Sequence, residues 1–278
     1  MRVVIAGCGD LGLHVAERLL ADPNNTVFGL RRTPPVTQNN DRFVWIGADL
    51  TQPSSLESLP EGITHIVFAA APGERTELAY RATYLQGLQH IVQAAQSPTL
   101  KRVIFVSSTA VYGDHGQDWV DEITPTEPAG FNGRILCEAE KWLTDFGQTH
   151  QLTTVCTRLS GIYGPKRNYL LDRLRQGLAA APKGNQHWVN RIHIDDAAAA
   201  LVHLLSLKAP QALYLVTDST PLPMRTLYEH LAKLVGGPVP PEGPPVRGVG
   251  SKRLSNARLL ESGFELKWPD SRIAYAAG

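Results

Sequence analysis

Three glycines near the amino terminus have a spacing that chemistry can use. Gly7-Cys8-Gly9-Asp10-Leu11-Gly12 reads G-x-G-x-x-G, directly after the apolar run Val3-Val4-Ile5-Ala6 and directly before the helical pattern LHVAERLL. In that context Gly7 permits a tight turn, Gly9 lets the backbone approach a pyrophosphate with no side chain between, and Gly12 lets helix pack closely on strand. A helix starting there offers phosphates its N–H groups and the positive end of its dipole. Gly7, Gly9, Asp10, Leu11 and Gly12 are therefore expected to bind a dinucleotide. The next apolar run ends in Arg31-Arg32, the first of them 19 residues past Gly12. An NAD site usually has a carboxylate here to hold the ribose 2′-OH, whereas two planar cations suit a 2′-phosphate. NADP is the expected cofactor, with NAD less favoured.

Other reactive residue types give weaker patterns. Tyr112 and Tyr163 each precede a glycine at the carboxyl end of an apolar run, where open α/β sheets bind ligands; each reads either as a wall residue or as a proton-transfer group. Asp114-His115 reads as loop polarity or as a general base. His193 and Asp195 open a helical pattern, which favours a capping role for the aspartate. Lys252-Arg253 could meet a substrate phosphate or simply be solvated. Cys8, Cys137 and Cys156 contain no C-x-x-C pair, and the nine histidines form no H-E-x-x-H, so no disulfide framework and no metal site is expected. The absence of G-x-S-x-G excludes a nucleophile elbow.

The elements that must position these groups alternate. Apolar runs at 2–6, 26–30, 43–46, 66–71, 103–108 and 153–161 are separated by helical patterns at 11–21, 75–96 and 134–148. Such runs, apolar without clean alternation, predict a parallel sheet covered on both faces, an α/β doubly wound fold of Rossmann type. A boundary at 165 is expected, with residues 1–165 binding the dinucleotide. Residues 166–278 then form a smaller substrate-binding region packed on the first, with helices at 169–180, 195–206 and 224–235 and a strand at 212–218. The stretch 236–250, GGPVPPEGPPVRGVG, reads as a loop because ten of its fifteen residues are proline or glycine. A formal net charge of +1 gives no basic excess for nucleic acid, and no apolar run approaches the ~18 residues of a membrane span. A cytoplasmic protein is expected.

The chain resembles the extended short-chain dehydrogenase/reductase superfamily in its NAD-dependent epimerase/dehydratase form, nearly end to end. Besides GCGDLG, the resemblance rests on Gly47-Ala48-Asp49-Leu50, on Ala69-Ala70-Ala71, and on Val106 to Gly113, which is similar to S-S-x-x-V-Y-G. Arg158 to Pro165 resembles R-P-x-x-V-Y-G-P, Arg191 to Ala197 resembles H-V-x-D-x-A, and Lys252 to Asn256 with Gly263-Phe264 resembles the closing substrate segment. Ser107 to Asp114 together with Gly133-Arg134-x-Leu136-x-Glu138 is similar to a bacterial YeeZ-like subgroup. The resemblance implies cofactor contacts from Asp49, Leu50, Ala69, Ala70, Ala71, Ser107 and Ser160. It also implies a catalytic hydroxyl at Ser108, and a Y-x-x-x-K pair on the following helix in which lysine lowers the tyrosine pKa. None of the eight tyrosines has a lysine four residues on. Aligning Glu138 with the family glutamate puts Gly130 at the tyrosine and Arg134 at the lysine. The catalytic set expected is thus Ser108, Arg134 as a fixed positive charge, and Tyr163 as the base. The implied activity is NAD(P)-dependent epimerase/dehydratase-type oxidoreduction on a hydroxylated small molecule such as a nucleotide sugar. The alternative is a non-catalytic NADP(H)-binding redox sensor. A homodimer through the helices at 75–96 and 134–148 is implied in the same way.

Overall fold

The structure is a computed structural model that describes residues 1–35, 41–184, 187–244 and 250–277. Seven strands form the main sheet: β1 (Arg2–Ala6), β2 (Thr26–Arg31), β3 (Phe43–Gly47), β4 (His65–Phe68), β5 (Arg102–Ser108), β6 (Thr153–Leu159) and β7 (Leu213–Val216). Their order is β7-β6-β5-β4-β1-β2-β3. β1 pairs in parallel with β2 on one side and β4 on the other, Val4 lying opposite both Phe28 and Ile66. Strand order therefore reverses at β1, and the carboxyl ends of β1 and β4 flank the crevice in which such sheets bind ligands. The continuous apolar runs have their explanation in burial on both faces: Val3, Val4, Ile5, Ala6, Ile66, Val67 and Phe68 are all fully buried.

Helix α1 (Asp10–Leu20) follows β1 and buries Leu11, Gly12, Val15, Ala16 and Leu19, the spacing of one helical stripe. The segment expected as one helix at 75–96 runs as Glu77–Tyr80, a π-helical stretch Arg81–Gly87, and Leu88–Ala94. Thr76 caps its start by accepting the Ala79 N–H. Helix α2 (Phe131–His150) is longer than the 134–148 expected from its pattern. Helix α3 (Ile194–Ser206) leads to β7.

Two compact units divide the chain, and a single boundary at 165 does not describe them. The first comprises Met1–Ser108, Phe131–Arg158 and Ala198–Tyr214; the second comprises Thr109–Gly130, Leu159–Ala197 and Leu215–Gly278. The physical reason is that a parallel edge strand needs a crossover, so most of α3 and the start of β7 return to the first unit. The second unit has short paired strands, Gly161–Tyr163 parallel to Arg191–His193 and Trp119–Val120 parallel to Arg253–Leu254. Its apolar cluster joins Leu174, Leu222, Leu227 and Leu231, two of them from helix α4 (Met224–Leu234). The helix expected over 169–180 stops at Arg175 because Gly177 adopts φ +69° and its N–H caps the Leu174 carbonyl at 3.0 Å. Of the proline- and glycine-rich stretch, 236–244 and 250 are irregular apart from a bridge at Glu242, and 245–249 lie outside the described residues. The chain ends in helix α5 (Ser271–Ala277). No helix among the described residues is long and apolar enough to cross a membrane.

Candidate functional site

The glycine loop has the geometry its spacing predicts. Gly7 has φ +84°, and a Cβ there would lie 2.2 Å from Ala70 Cα, so β1 and the segment after β4 touch backbone to backbone. A Cβ on Gly12 would lie 3.0 Å from Ile5 Cγ2, the close packing of helix on strand. Gly9 differs: a Cβ there would meet nothing nearer than the Gly7 carbonyl oxygen at 4.0 Å. No distant part of the chain fills the space beside Gly9. An open surface above the start of α1 fits a phosphate group approaching the backbone. Cys8 is turned into the protein; burial pushes its thiol up to about 12 despite the Arg31 charge, so it is a packing residue and no nucleophile.

The other positions expected to meet a dinucleotide lie at or after the carboxyl ends of β2, β3 and β4. Arg31 and Arg32 are exposed at the end of β2, and the effect of Arg31 on Cys8 places its charge beside the glycines. Arg32 reaches toward Gly73, where a Cβ would be 3.5 Å from its Nη2. Asp49 is fixed by a turn in which its Oδ1 accepts the Thr51 N–H and hydroxyl at 2.9 and 2.8 Å. Leu50 is buried and its carbonyl accepts from His90. Ala69 donates to the Ala6 carbonyl, Ala70 packs on Gly7, and Ala71 is exposed, so all three line the mouth between β1 and β4.

Ser107 is placed otherwise than expected. Its hydroxyl donates to Glu140 Oε1 at 2.5 Å, and Glu140 is held by Arg158 through Nε at 3.1 and 3.2 Å and Nη2 at 2.6 Å. All three residues are buried. The Ser107 side chain therefore joins the end of β5 to α2 and β6. Sequence reasoning missed Glu140, although a signal existed: it falls on the stripe Gly133, Leu136, Ala139, Leu143, Gly147 that α2 buries. The same stripe corrects Arg134. Arg134 is exposed beside buried Gly133 and Ile135, and its charge is felt at Glu138, which also takes a two-pronged ion pair from Arg81 at 2.6 and 3.1 Å. Ser108 closes β5, half-buried, with Thr109 to Val111 in a single 3-10 turn after it.

In the second unit, the structure is unfavourable to Tyr163 as a base. It is 2% exposed, its hydroxyl has no hydrogen-bond partner among the described residues, and burial together with Asp218 and other nearby acids pushes its phenol well above the ordinary range. Phenolate formation there is disfavoured near neutrality. Ser160 donates its N–H to the Val216 carbonyl and leaves a buried hydroxyl without a partner among the described residues, which fits a ligand contact. Tyr112 is a wall residue, its hydroxyl donating to the Asp121 carbonyl at 2.7 Å. The Asp114 carboxylate accepts the Gly116 N–H, as loop polarity predicts. His193 Nδ1 accepts the Asp195 N–H at 3.2 Å, and Asp196 accepts the N–H groups of Lys267 and Trp268, both structural roles. Lys252 is buried and donates to the carbonyls of Gly113 and Gly250, each at 3.1 Å. Arg253 Cζ lies over two indole rings, 5.0 Å from the centroid of Trp119 and 5.1 Å from that of Trp188, both within cation–π distance.

Known proteins resemble this chain in sequence and in fold. A family model described as the NAD dependent epimerase/dehydratase family matches residues 3–215. Protein YeeZ of Escherichia coli (strain K12) is 35% identical over 193 residues, 68% of this chain and 67% of YeeZ. Vestitone reductase of Medicago sativa is 25% identical over 306 residues, covering 95% of this chain and 91% of the reductase. A solved structure from Methylobacillus flagellatus, described as an NAD-dependent epimerase/dehydratase, superposes with a TM-score of 0.82 at 37% identity, covering 99% of this chain and 96% of that one. The UDP-glucose 4-epimerase of Thermotoga maritima, solved with UDP-glucose, shares the fold with a TM-score of 0.85 at 19% identity, covering 99% and 96%.

Proposed function

The chain belongs to the NAD dependent epimerase/dehydratase family, and from that premise we propose that it binds NADP and performs epimerase/dehydratase-type redox chemistry on a hydroxylated small molecule carrying an anionic group, such as a nucleotide sugar. Gly9 carries the cofactor part of the reading. A side chain there would meet no distant part of the chain, and the open space over it is where a pyrophosphate would meet the start of α1. Gly7, Gly12 and Ala69 to Ala71 shape the same crevice, Asp49 and Leu50 border the adenosine end, and Arg31 and Arg32 favour a 2′-phosphate. NADP bound there would supply hydride transfer at its nicotinamide.

Ser108 is the hydroxyl assigned to orient the reacting oxygen, since it ends β5 at the ligand-binding edge of the sheet. Arg134 and Tyr163 leave the catalytic set for the reasons of exposure and burial given above. Ser160, with its orphaned hydroxyl, takes a place among the ligand contacts, and Ser107 loses its own. Arg253, its charge over the rings of Trp119 and Trp188, is the group suited to the substrate's anion. A homodimer through residues 77–94 and α2 belongs to the same reading.

One observation favours a second reading. With Tyr163 buried and no lysine spaced to serve a tyrosine, a protein that senses NADP(H) occupancy without turnover loses nothing. Cofactor titration separates the possibilities. NADPH should bind at least about tenfold more tightly than NADH, and Arg31→Ala with Arg32→Ala should erase the difference, because each charge-assisted contact contributes about 1.5–3 kcal/mol. Equal affinity of the wild-type protein for both cofactors contradicts the NADP assignment. A substrate screen that yields cofactor oxidation or reduction supports the enzyme, and tight binding of both NADP forms without turnover supports the sensor.

A further inference from the structure

Two cations follow one another in the second unit without an acid to pair with. Lys252 is 5% exposed and its Nζ donates to the carbonyls of Gly113 and Gly250. The charge of Arg253 lies over the rings of Trp119 and Trp188. Neither cation takes part in an ion pair among the described residues. Asp114 is the acid whose charge Lys252 feels, and its Oδ1 already accepts the Gly116 N–H at 2.9 Å.

Arg253 is set in a frame of hydrogen bonds from three segments. Its strand, Arg253–Leu254, runs parallel to Trp119–Val120, and its own N–H donates to the Asp118 carbonyl at 3.0 Å. Asn190 holds the residues on either side, its Nδ2 donating to the Lys252 carbonyl at 3.0 Å and its Oδ1 accepting the Leu254 N–H at 2.9 Å. Ser251 closes the frame: its Oγ accepts the Trp188 N–H at 3.0 Å and donates to the Gly116 carbonyl at 2.7 Å, while its carbonyl accepts the His115 N–H at 2.8 Å.

Within this frame three buried nitrogens have no hydrogen-bond partner among the described residues: Arg253 Nε, Trp188 Nε1 and His115 Nε2. The first two can only donate, and the histidine ring donates in one of its tautomers. A buried N–H without an acceptor is costly, and two on neighbouring side chains call for one remedy, an acceptor from outside the chain. Trp119 is 56% exposed, which leaves its side of the frame open to solvent.

We infer that Arg253 and the Trp188 indole N–H form a binding site for a phosphoryl group, and that this group is the anion carried by the substrate. The substrate half rests on the proposed function, whereas the phosphoryl half follows from the donors alone. Donors without acceptors select an anion. The Arg253 fork takes two oxygens of a tetrahedral group and leaves a third for Trp188. Two adjoining positive charges, offset in part by exposed Asp114, suit a dianion better than a single carboxylate.

Nitrogen-15 NMR of the indole N–H groups in the whole protein tests the site. Five tryptophans give five signals, and Trp188→Phe identifies the one that matters. At about pH 8, where phosphate is dianionic, and at constant ionic strength, inorganic phosphate should shift the Trp188 signal saturably. Methyl phosphate should bind at least as tightly, because a substrate's phosphoryl group gives one oxygen to its ester bond. Acetate should bind about tenfold or more weakly, and Arg253→Gln should weaken phosphate binding by about tenfold or more. A silent Trp188 signal, an equal response to acetate, or undiminished binding by Arg253→Gln overturns the phosphoryl site. A response to inorganic phosphate that methyl phosphate does not reproduce marks a free-ion site and overturns the substrate half. Should Arg253→Gln not fold, the three anions compared on the wild-type protein decide the matter. NADPH titration of the same sample keeps the two readings apart. NADPH binding with a silent Trp188 removes this site and leaves the proposed function standing; a saturable phosphate shift without NADPH binding keeps the phosphoryl site and overturns the substrate half along with the function on which it rests.

Discussion

Glu140 and Arg158 form a buried ion pair whose removal has a size the structure allows to be worked out. Glu140 is 7% exposed and Arg158 6%, so neither charge can be solvated in place if its partner is lost. Glu140→Gln keeps the shape and removes the charge, stranding the Arg158 guanidinium; breaking such a pair costs about 3–5 kcal/mol. The Ser107 hydroxyl loses its charged acceptor as well, which for a bond of this kind adds about 1 kcal/mol. Unfolding entropy of about 2.1 cal/mol/K per residue makes a loss of 4 kcal/mol equivalent to a fall of roughly 7 °C in Tm for a chain of this length. Arg158→Met should be similarly damaging. The double variant Glu140→Leu, Arg158→Met replaces the pair with apolar side chains and should recover at least about 2 kcal/mol relative to the sum of the single losses. Urea unfolding followed by circular dichroism measures all of these. Single losses below about 1 kcal/mol, or a double variant that is simply additive, would refute the claim that this pair holds β5, α2 and β6 together.

The two glycines of the nucleotide loop should respond in opposite ways. Gly7→Ala must place a Cβ on Ala70 at φ +84°, costing about 2–4 kcal/mol, whereas Gly9→Ala meets no distant atom and should lower Tm less than Gly7→Ala while weakening dinucleotide binding by about tenfold or more; calorimetry and cofactor titration read both, and undiminished binding by Gly9→Ala would remove the phosphate from that position. His65 is 8% exposed at the start of β4, and burial, with the nearby Arg102 charge, pushes its imidazole down to about 4. The unfolded chain binds that proton at about 6.5, so stability is full above this pH and declines as pH falls toward 4, by at most about 3 kcal/mol. His65→Gln should flatten that part of the pH profile in urea unfolding, and an unaltered profile would assign the acid sensitivity elsewhere.

The sequence by itself determined the sheet and the geometry of the glycine loop, because both are local. A parallel strand buried on two faces must be apolar along its length, so β1, β4 and β5 are visible as runs, and Gly7, Gly9 and Gly12 act within a single turn that connects one strand to one helix. Their partners could be inferred without knowing where any distant residue lies. The side chains farther along the chain depended on contacts between segments remote in sequence, and there the tertiary structure decided. Ser107 reads as a cofactor contact until Glu140, 33 residues away, takes its hydroxyl. Arg134 reads as a catalytic charge until the helix is rotated so that Glu140 faces inward and Arg134 faces out. Tyr163 reads as a base until Tyr275 and Asp218 close over it. Residue type fixes what a group can do, but its protonation, pairing and exposure are set by what folds against it, and for these residues that came from parts of the chain that no local pattern connects.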